Sequence, residues 1–182
     1  REEHNNYYNS LFLINKHSYE KFDKNILVPF GEFIPLRNFF GFMDIIAGTI
    51  DFSKGNQIRS LQITDNINFV PVICYEIMYF WKLLDKNNVN TNIIINLTND
   101  SWFGKFSGPY QHFYFTKLRA SELNKTIIRL SNNGISGIIN NYGHLNGYTK
   151  LNKSEVKKLE LIIQDPQNNY TNIHKFIIIF IF

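Results

Sequence analysis

The sequence contains a single cysteine, Cys74, among its 182 residues. An internal disulfide needs two cysteines, so a disulfide framework is excluded, and so is a metal site built on several thiolates. The sequence also lacks a glycine-rich phosphate loop, a serine in a nucleophile-elbow pattern, and any His, Asp and Glu spacing that is typical of a metal site. It therefore predicts neither a metal nor a nucleotide cofactor.

Charge is sparse in this chain. Charged residues make up 19% of it, and the formal net charge of +4 results from 19 basic and 15 acidic residues. The basic residues are scattered, whereas proteins that bind nucleic acids gather them into a stripe with aromatic residues between them. The pattern indicates a solvated surface and no nucleic-acid partner, and it is compatible with weak attraction to an anionic membrane surface.

Long apolar runs are also missing. A membrane-spanning helix needs about 20 apolar residues, and the most apolar run, at 176–182, is much shorter. We expect residues 171–182 to form either a terminal strand or the start of a membrane helix. The chain begins with Arg1 rather than Met and shows no signal peptide, so we expect it to be a fragment.

The residues that are present predict an α/β fold, because segments with strand character alternate with segments of helical spacing. Prolines and a glycine predict an ordered loop at 27–35. Helices are predicted at 38–47, 75–86 and 110–124. Strands are predicted at 8–15, 58–63, 69–74, 92–97, 126–130 and 136–140.

Cys74 and Asn99 both lie at the carboxyl ends of strands that are predicted to be buried. Functional groups of α/β folds gather at the carboxyl ends of such strands, so these two positions are the first candidates for a site. A thiol at the start of a helix is stabilised as a thiolate by the free N–H groups there. The alternative is that Cys74 is a small buried hydrophobic residue, which is the commoner role of a lone cysteine.

Three charged residues are further candidates. Glu76 lies in an apolar setting and must be paired or hydrogen-bonded, or it is simply a charge in the first turn of a helix. Lys24 could stabilise negative charge on a carbonyl under attack, or it is a surface lysine. Glu32 could orient that lysine or a base, or it could accept hydrogen bonds from backbone N–H groups.

Two aromatic residues and a histidine complete the set of candidates. Trp102 and Phe103 lie on a loop after a buried strand, where they could form a binding surface or cover the core. His112 could form a pair with a cysteine, but a lone histidine on a helix is more often structural.

Three motifs carry a resemblance to a known family: 28–35 (VPFGEFIP), 73–77 (ICYEI) and 99–104 (NDSWFG). In this order, and together with other segments, they resemble the apolipoprotein N-acyltransferases, a membrane branch of the nitrilase, or carbon–nitrogen hydrolase, superfamily. The resemblance extends over roughly residues 7–165. The other segments that carry it are 7–10, 19–24, 108–112 and 129–136.

The resemblance implies an α/β fold of the nitrilase-like αββα sandwich type, with residues 1–170 as a partial domain that is incomplete at its N-terminus. The family uses a Glu–Lys–Cys triad, in which Lys24 matches the lysine and Cys74 the nucleophile. The family's catalytic glutamate lies before the segment that begins at Tyr7, so we expect it, and the membrane helices that precede it, to be absent here. We therefore expect the fragment to be inactive alone. The residues that match supporting or covering positions are Glu32, Tyr75, Glu76 and Trp102, and Asn99 lies in the same loop as Trp102.

The function that the resemblance implies is transfer of a fatty acyl group from a phospholipid, through a thioester on Cys74, to the N-terminal diacylglyceryl-cysteine of a lipoprotein. It also implies a monomer in the bacterial inner membrane, with its catalytic domain on the periplasmic side. Two alternatives stay open: a soluble nitrilase-type amidase with the same Cys, Lys and Glu chemistry, and a truncated, non-catalytic remnant of the fold.

Overall fold

The computed structural model describes residues 1–36, 50–104 and 106–161. The chain divides into two compact units, Arg1–Gln57 and Ile58–Phe182. The helix predicted at 38–47 and the terminal run at 171–182 lie outside the described residues. Within the described ranges, no helix has the length and apolar character needed to cross a membrane.

The first unit contains two small antiparallel sheets. Strand β1 (Glu2–Glu3) pairs with β2 (Asn6–Tyr7), and β3 (Ser10–Ile14) pairs with β4 (Tyr19–Asp23). Strand β3 confirms the strand predicted at 8–15, whereas β4 was not predicted because most of its residues are polar.

The loop at 27–35 follows β4. As predicted, it contains no regular helix or strand, and only an isolated bridge joins Pro29 to Phe33. The prolines account for this, because the proline ring fixes φ and removes an N–H donor. Both effects disfavour the regular hydrogen bonding of helices and of sheets. The loop is nevertheless ordered by hydrogen bonds to the side chain of Glu32.

The second unit is built on a six-stranded sheet in the order β10-β9-β8-β7-β6-β5. The three central strands, β6 to β8, are parallel, and the outer strands pair antiparallel. The predictions at 69–74, 92–97, 126–130 and 136–140 are confirmed, and the strand predicted at 58–63 begins three residues later. The six strands are β5 (Leu61–Thr64), β6 (Ile67–Ile73), β7 (Ile93–Thr98), β8 (Thr126–Ser131), β9 (Gly137–Ile139) and β10 (Leu145–Tyr148).

Helix α1 (Ser107–Glu122) packs against this sheet and confirms the helix predicted at 110–124. Proline is tolerated in the first turn of a helix, where its missing N–H has no partner to lose, and Pro109 occupies that turn. The buried cluster between helix and sheet combines Phe113 and Ala120 of α1 with aliphatic residues of the strands. Parallel strands need apolar cover, which explains why β6 to β8 are rich in Val and Ile.

The helix predicted at 75–86 is wrong. The chain forms two short 3₁₀ segments instead, Cys74–Met78 and Phe80–Lys82. Tyr79 between them has φ −96° and ψ 59°, which is not helical and interrupts the segment. A five-residue 3₁₀ turn is a weak source of axial dipole, so the expectation that a helix terminus stabilises the Cys74 thiolate loses its basis.

Candidate active site

Cys74 forms a strained turn at the carboxyl end of β6. Its φ of 53° lies in the left-handed region, which costs an L-residue with a Cβ atom roughly 1–2 kcal/mol. Its side chain is half-buried, and its Sγ lies 4.0 Å from the carbonyl oxygen of Asn99, which follows β7. The two residues expected at neighbouring strand ends are therefore brought together, and strain of this kind is concentrated at functional sites.

Asn96 of β7 holds the backbone on both sides of this turn. Its Nδ2 donates to the carbonyl oxygen of Val72 at 3.2 Å and to that of Cys74 at 3.4 Å. Asn96 is fully buried, and buried amide groups are retained where they satisfy backbone groups that would otherwise lack partners. Its side chain thus joins β7 to the turn that presents the thiol.

Glu76, directly after the turn, is the centre of a buried ion pair. Arg59 donates to its two carboxylate oxygens at 2.9 and 2.8 Å, and the N–H of Ile73 donates to it at 2.8 Å. Arg59 also donates to the carbonyl oxygen of Pro71, a residue that has no N–H with which to continue the β5–β6 ladder. The expectation that Glu76 must be paired is confirmed, and its partner was not predicted.

A second buried ion pair lies behind the loop that begins at Asn99. Arg129 of β8 donates from one nitrogen to both oxygens of Asp100, at 2.9 and 2.7 Å, and neither side chain is exposed. His112 places its Nδ1 2.8 Å from Asp100. The histidine is therefore hydrogen-bonded to Asp100 and does not form a pair with the cysteine. This agrees with the interpretation of His112 as a structural residue.

These contacts set the electrostatics around Asp100 and Arg129. Burial by itself raises the pKa of Asp100, but hydrogen bonds with His112, Ser131 and Arg129 and the charge of Arg129 outweigh it and lower that pKa. Burial lowers the pKa of Arg129, and attraction to Asp100 and to Cys74 opposes it. Arg129 is thus a buried positive charge whose main counter-charge is the Asp100 carboxylate.

Aromatic residues surround the His112 side chain. The rings of Tyr75 and Phe103 lie 6.2 and 4.7 Å from it, centroid to centroid. Trp102, beside Phe103, is 76% exposed, so Phe103 helps to cover the core whereas Trp102 presents an aromatic surface to solvent. Asn99 is exposed as well, and its side-chain oxygen accepts hydrogen bonds from the Ser101 N–H and from Asn132.

The first unit holds the other predicted pair. Lys24 donates to Glu32 at 2.7 Å and is only 1% exposed, so the interpretation as a surface lysine is wrong. Glu32 also accepts from the N–H of Val28 at 2.9 Å and from Asn9 at 3.0 Å. Glu32 therefore contacts the lysine and the backbone at once, which are the contacts that its two predicted roles require.

The predicted residues fall into two sets, one in each unit. Lys24 and Glu32 belong to the first unit, and the second contains Cys74, Tyr75, Glu76, Asn99 and Trp102. The residues that hold the second set in place were not predicted, although two of them left a signal in the sequence: each is a polar residue between two apolar residues of a strand. The unpredicted residues are Arg59, Asn96, Asp100 and Arg129, of which Asn96 and Arg129 carry that signal.

The chemistry that this arrangement can perform is nucleophilic attack by a thiol. The second unit offers one half-buried sulfur on a strained backbone at the carboxyl end of β6. Covalent catalysis requires a nucleophile that is held in position in this way. In the part of the chain that the structure describes, no group of three or more His, Cys, Asp and Glu side chains is placed to hold a metal ion.

Comparison with known sequences identifies relatives. Residues 1–148 match the model of the carbon-nitrogen hydrolase family. The chain is 36% identical over 171 residues to the apolipoprotein N-acyltransferase of Rickettsia typhi, covering 93% of this chain and 34% of that protein. It is 38% identical over 148 residues to the protein of the same name from Wigglesworthia glossinidia brevipalpis, covering 77% of this chain and 30% of that protein. The chain thus spans about a third of the length of these relatives.

Comparison with solved structures identifies the fold. A glutamine-dependent NAD+ synthetase from Acinetobacter baumannii superposes with a TM-score of 0.63 at 17% identity, over 81% of this chain and 27% of that one. A nitrilase-superfamily amidase from Nesterenkonia superposes with a TM-score of 0.58 at 14% identity, over 92% of this chain and 61% of that one. The prediction of a nitrilase-like α/β fold is confirmed. From the match over residues 1–148 and the shared fold, the chain belongs to the carbon-nitrogen hydrolase family and, within it, is similar to the apolipoprotein N-acyltransferases.

Proposed function

We propose that this chain carries the nucleophile of an N-acyltransferase, which moves a fatty acyl group from a phospholipid to the N-terminal diacylglyceryl-cysteine of a lipoprotein. The observation that carries the proposal is the geometry of Cys74: a lone thiol on a left-handed turn at the carboxyl edge of parallel strands, 4.0 Å from the backbone of the neighbouring loop. The curated relatives are named apolipoprotein N-acyltransferases, which supports acyl transfer to a lipoprotein. The phospholipid donor and the diacylglyceryl-cysteine acceptor are what the resemblance to that family implies.

In the first step the Cys74 thiolate attacks the ester carbonyl of the phospholipid. A C–S bond forms, the carbonyl π electrons move to oxygen, and collapse of the tetrahedral intermediate breaks the ester C–O bond. The lysophospholipid leaves as an alcohol, with the proton that the thiol has lost to the general base, and the acyl group remains as a thioester on Cys74. By resemblance to the family, that base is a glutamate upstream of this chain in the full-length protein.

In the second step the α-amine of the diacylglyceryl-cysteine attacks the thioester carbonyl. A C–N bond forms, the C–S bond breaks, and the proton released by the amine passes through the same base to regenerate the Cys74 thiol. Splitting one difficult transfer into two easier ones is the general advantage of a covalent intermediate. Neither step requires an oxidant or a reductant.

Lys24 is proposed to stabilise the negative oxygen in both tetrahedral intermediates. The assignment rests on its motif position, and the support from the structure is its buried ammonium group, held at 2.7 Å by Glu32. A charge that is oriented before the reaction begins costs no reorganisation when the oxyanion forms. Trp102, which is 76% exposed, and Asn99 are proposed to contact the substrate, and Tyr75 and Glu76 to support the turn that bears the thiol.

The proposed partners set the proposed location. A phospholipid donor and a lipid-modified acceptor are both held in a bilayer, which agrees with a membrane location. The bacterial inner membrane, with this domain on the periplasmic side, is what the resemblance to the acyltransferase family implies for the full-length protein. The same resemblance suggests that it acts as a monomer.

The test is to trap the acyl-enzyme. The full-length protein that carries this chain is incubated with phospholipid whose acyl chain is radiolabelled, in the absence of acceptor, and the peptide with Cys74 is analysed for label that neutral hydroxylamine releases. We expect a labelled thioester that disappears in Cys74→Ala and that is discharged when a diacylglyceryl-cysteine peptide is added.

Two outcomes would contradict the proposal. Label that persists in Cys74→Ala would remove Cys74 as the acceptor of the acyl group. Release of ammonia from small amides by the wild type, with no labelling by phospholipid, would favour the amidase alternative. Trp81→Phe serves as a control variant, because Trp81 is exposed on the Phe80–Lys82 segment and has no role in the proposed site.

A further inference from the structure

We propose that Arg129 and Asn96 together position the nucleophile: Arg129 fixes the amide of Asn96, and that amide holds Cys74 in its left-handed conformation. The inference deepens the proposed function and rests on it for the identity of the reaction. Neither residue touches a reacting atom in this proposal, so both are positioning residues.

All three nitrogens of the Arg129 side chain donate hydrogen bonds. Its Nε donates to the carbonyl oxygen of Ile135 at 3.2 Å, one terminal nitrogen donates to both oxygens of Asp100, and the other donates to Asn96 and Thr116. The side chain is fully buried, and a buried guanidinium is costly unless it is bonded in this way. Arg129 therefore has one fixed orientation.

Two successive sets of hydrogen bonds connect Arg129 to the turn through Asn96. Arg129 donates to the side-chain oxygen of Asn96 at 2.9 Å, which leaves the Asn96 amide nitrogen directed at the carbonyl oxygens of Val72 and Cys74. Those two carbonyls flank the peptide units around Cys74, whose φ is 53°. A strained conformation persists only where its surroundings determine it strongly, and the Asn96 amide contacts the backbone on both sides of the turn.

Arg129 also contacts, through Asp100, the loop on the other side of the Cys74 thiol. Asp100, the other partner of Arg129, begins the 3₁₀ segment Asp100–Phe103 directly after Asn99. The Asn99 carbonyl oxygen lies 4.0 Å from the Cys74 sulfur. Arg129 thus sets the distance between the thiol and the neighbouring loop from both sides, through Asn96 and through Asp100.

The experiment uses Asn96→Asp and Asn96→Leu in the full-length protein. Aspartate can still accept the hydrogen bond from Arg129 but cannot donate to the backbone, whereas leucine loses both contacts. We expect kcat for acyl transfer to fall about tenfold to a hundredfold in both, since small displacements of a reacting group have effects of this size, while KM stays within about twofold because the substrate contacts are unchanged.

Thr116→Val is the matched control. It removes another acceptor of the same Arg129 group, at 3.0 Å, while the bonds of Arg129 to Ile135, Asp100 and Asn96 remain and keep its orientation. We expect its melting temperature to fall about as much as that of Asn96→Asp and its kcat to stay at the wild-type value. If kcat falls as far in Thr116→Val as in Asn96→Asp, the proposal is overturned, because loss of packing alone would then explain both.

A double-mutant cycle tests whether Arg129 acts through Asn96. We expect Arg129→Lys to lower kcat in the wild-type background and to have little further effect in Asn96→Leu, since the path is already broken there. Equal reductions in the two backgrounds would overturn the proposed path.

A measurement that needs no lipid separates this inference from the proposed function. The rate at which iodoacetamide alkylates Cys74 is followed by mass spectrometry of its peptide, and we expect slower alkylation in Asn96→Asp than in the wild type and in Thr116→Val. If alkylation is slower in Asn96→Asp but the wild-type protein transfers no acyl group, the proposed function is refuted and the positioning role is supported. Equal alkylation rates in a protein that does transfer acyl groups would refute the positioning role alone.

Discussion

Arg59 and Glu76 form a fork-to-fork ion pair beneath the nucleophile turn, with nitrogen–oxygen distances of 2.9 and 2.8 Å and at most 5% exposure of either side chain. The β5–β6 ladder ends at the pair of Leu61 with Phe69. Beyond that pair, Arg59 donates to the carbonyl oxygen of Pro71 from its side chain. Glu76 in turn accepts the N–H of Ile73, the last residue before Cys74. The pair therefore fixes the chain on both sides of the change from strand to 3₁₀ segment.

We expect Glu76→Gln to lower the free energy of unfolding by about 3–5 kcal/mol, because it removes the carboxylate charge that the buried Arg59 guanidinium faces at 2.8 Å. Urea denaturation followed by circular dichroism measures the change. Asp65→Asn is the control, since it makes the same kind of substitution at an exposed turn and should change stability by less than about 0.5 kcal/mol. Equal midpoints for the two variants would show that the pair contributes nothing.

The central strands and helix α1 could be predicted from the sequence, because their patterns follow directly from burial. Strands β6, β7 and β8 are short apolar runs, as expected where both faces of a parallel sheet are covered. The false helix at 75–86 shows the limit of that reasoning. Its apolar and aromatic residues have helical spacing, but the backbone at Tyr79 leaves the helical region, and nothing in local composition signals that departure.

The residues proposed to carry the chemistry could be predicted from the sequence. Most of the residues whose hydrogen bonds and ion pairs position them could not. Cys74 and Asn99 follow recognisable strands, and the order of the motifs pointed to Lys24 and Glu32. Arg59 and Asp100 acquire their roles only through partners 17 and 29 residues away in the chain, a separation that no local pattern encodes. Asn96 and Arg129 stand out as polar residues between apolar neighbours in their strands, yet their partners become evident only in the folded sheet.

Gly134 is required by the Asp100–Arg129 pair. A Cβ atom at this position would lie 1.7 Å from the Asp100 carboxylate and 2.4 Å from the Ser131 hydroxyl. We expect Gly134→Ala to displace the carboxylate from Arg129 and to destabilise the protein by at least about 2 kcal/mol, measured by thermal unfolding. Gly31→Ala is the control, since its nearest atom would be 3.5 Å away, and a loss of stability there equal to that of Gly134→Ala would contradict the steric argument.

Asp23 makes stability depend on pH in the acid range. Burial by itself raises its pKa, but hydrogen bonds from Arg1, Ser10 and Gln57 and the charge of Arg1 lower it from 3.8 to about 2. A carboxyl whose pKa is depressed by folding stabilises the folded state fully above its unfolded value, and this contribution is lost as the pH falls from about 4 to about 2.

We therefore expect the free energy of unfolding of the wild type to fall by about 2 kcal/mol more than that of Asp23→Asn between pH 4 and pH 2. Urea denaturation at a series of pH values measures the two slopes. Glu20→Gln, at an exposed position of β4, should keep the wild-type slope. An Asp23→Asn slope as steep as the wild type would show that this carboxyl does not titrate as described.

The Lys24–Glu32 pair allows a separation of stability from catalysis. Lys24→Met alone leaves the Glu32 carboxylate with two hydrogen bonds, from Val28 and Asn9, but without its counter-charge, so we expect a loss of about 3 kcal/mol in unfolding free energy. The double variant Lys24→Met with Glu32→Gln removes both charges and should recover most of that loss, because a neutral amide can remain bonded in place of the carboxylate. Acyl transfer should be lost in both variants, since neither has a cation for the oxyanion. Recovery of activity together with stability in the double variant would assign Lys24 a purely structural role.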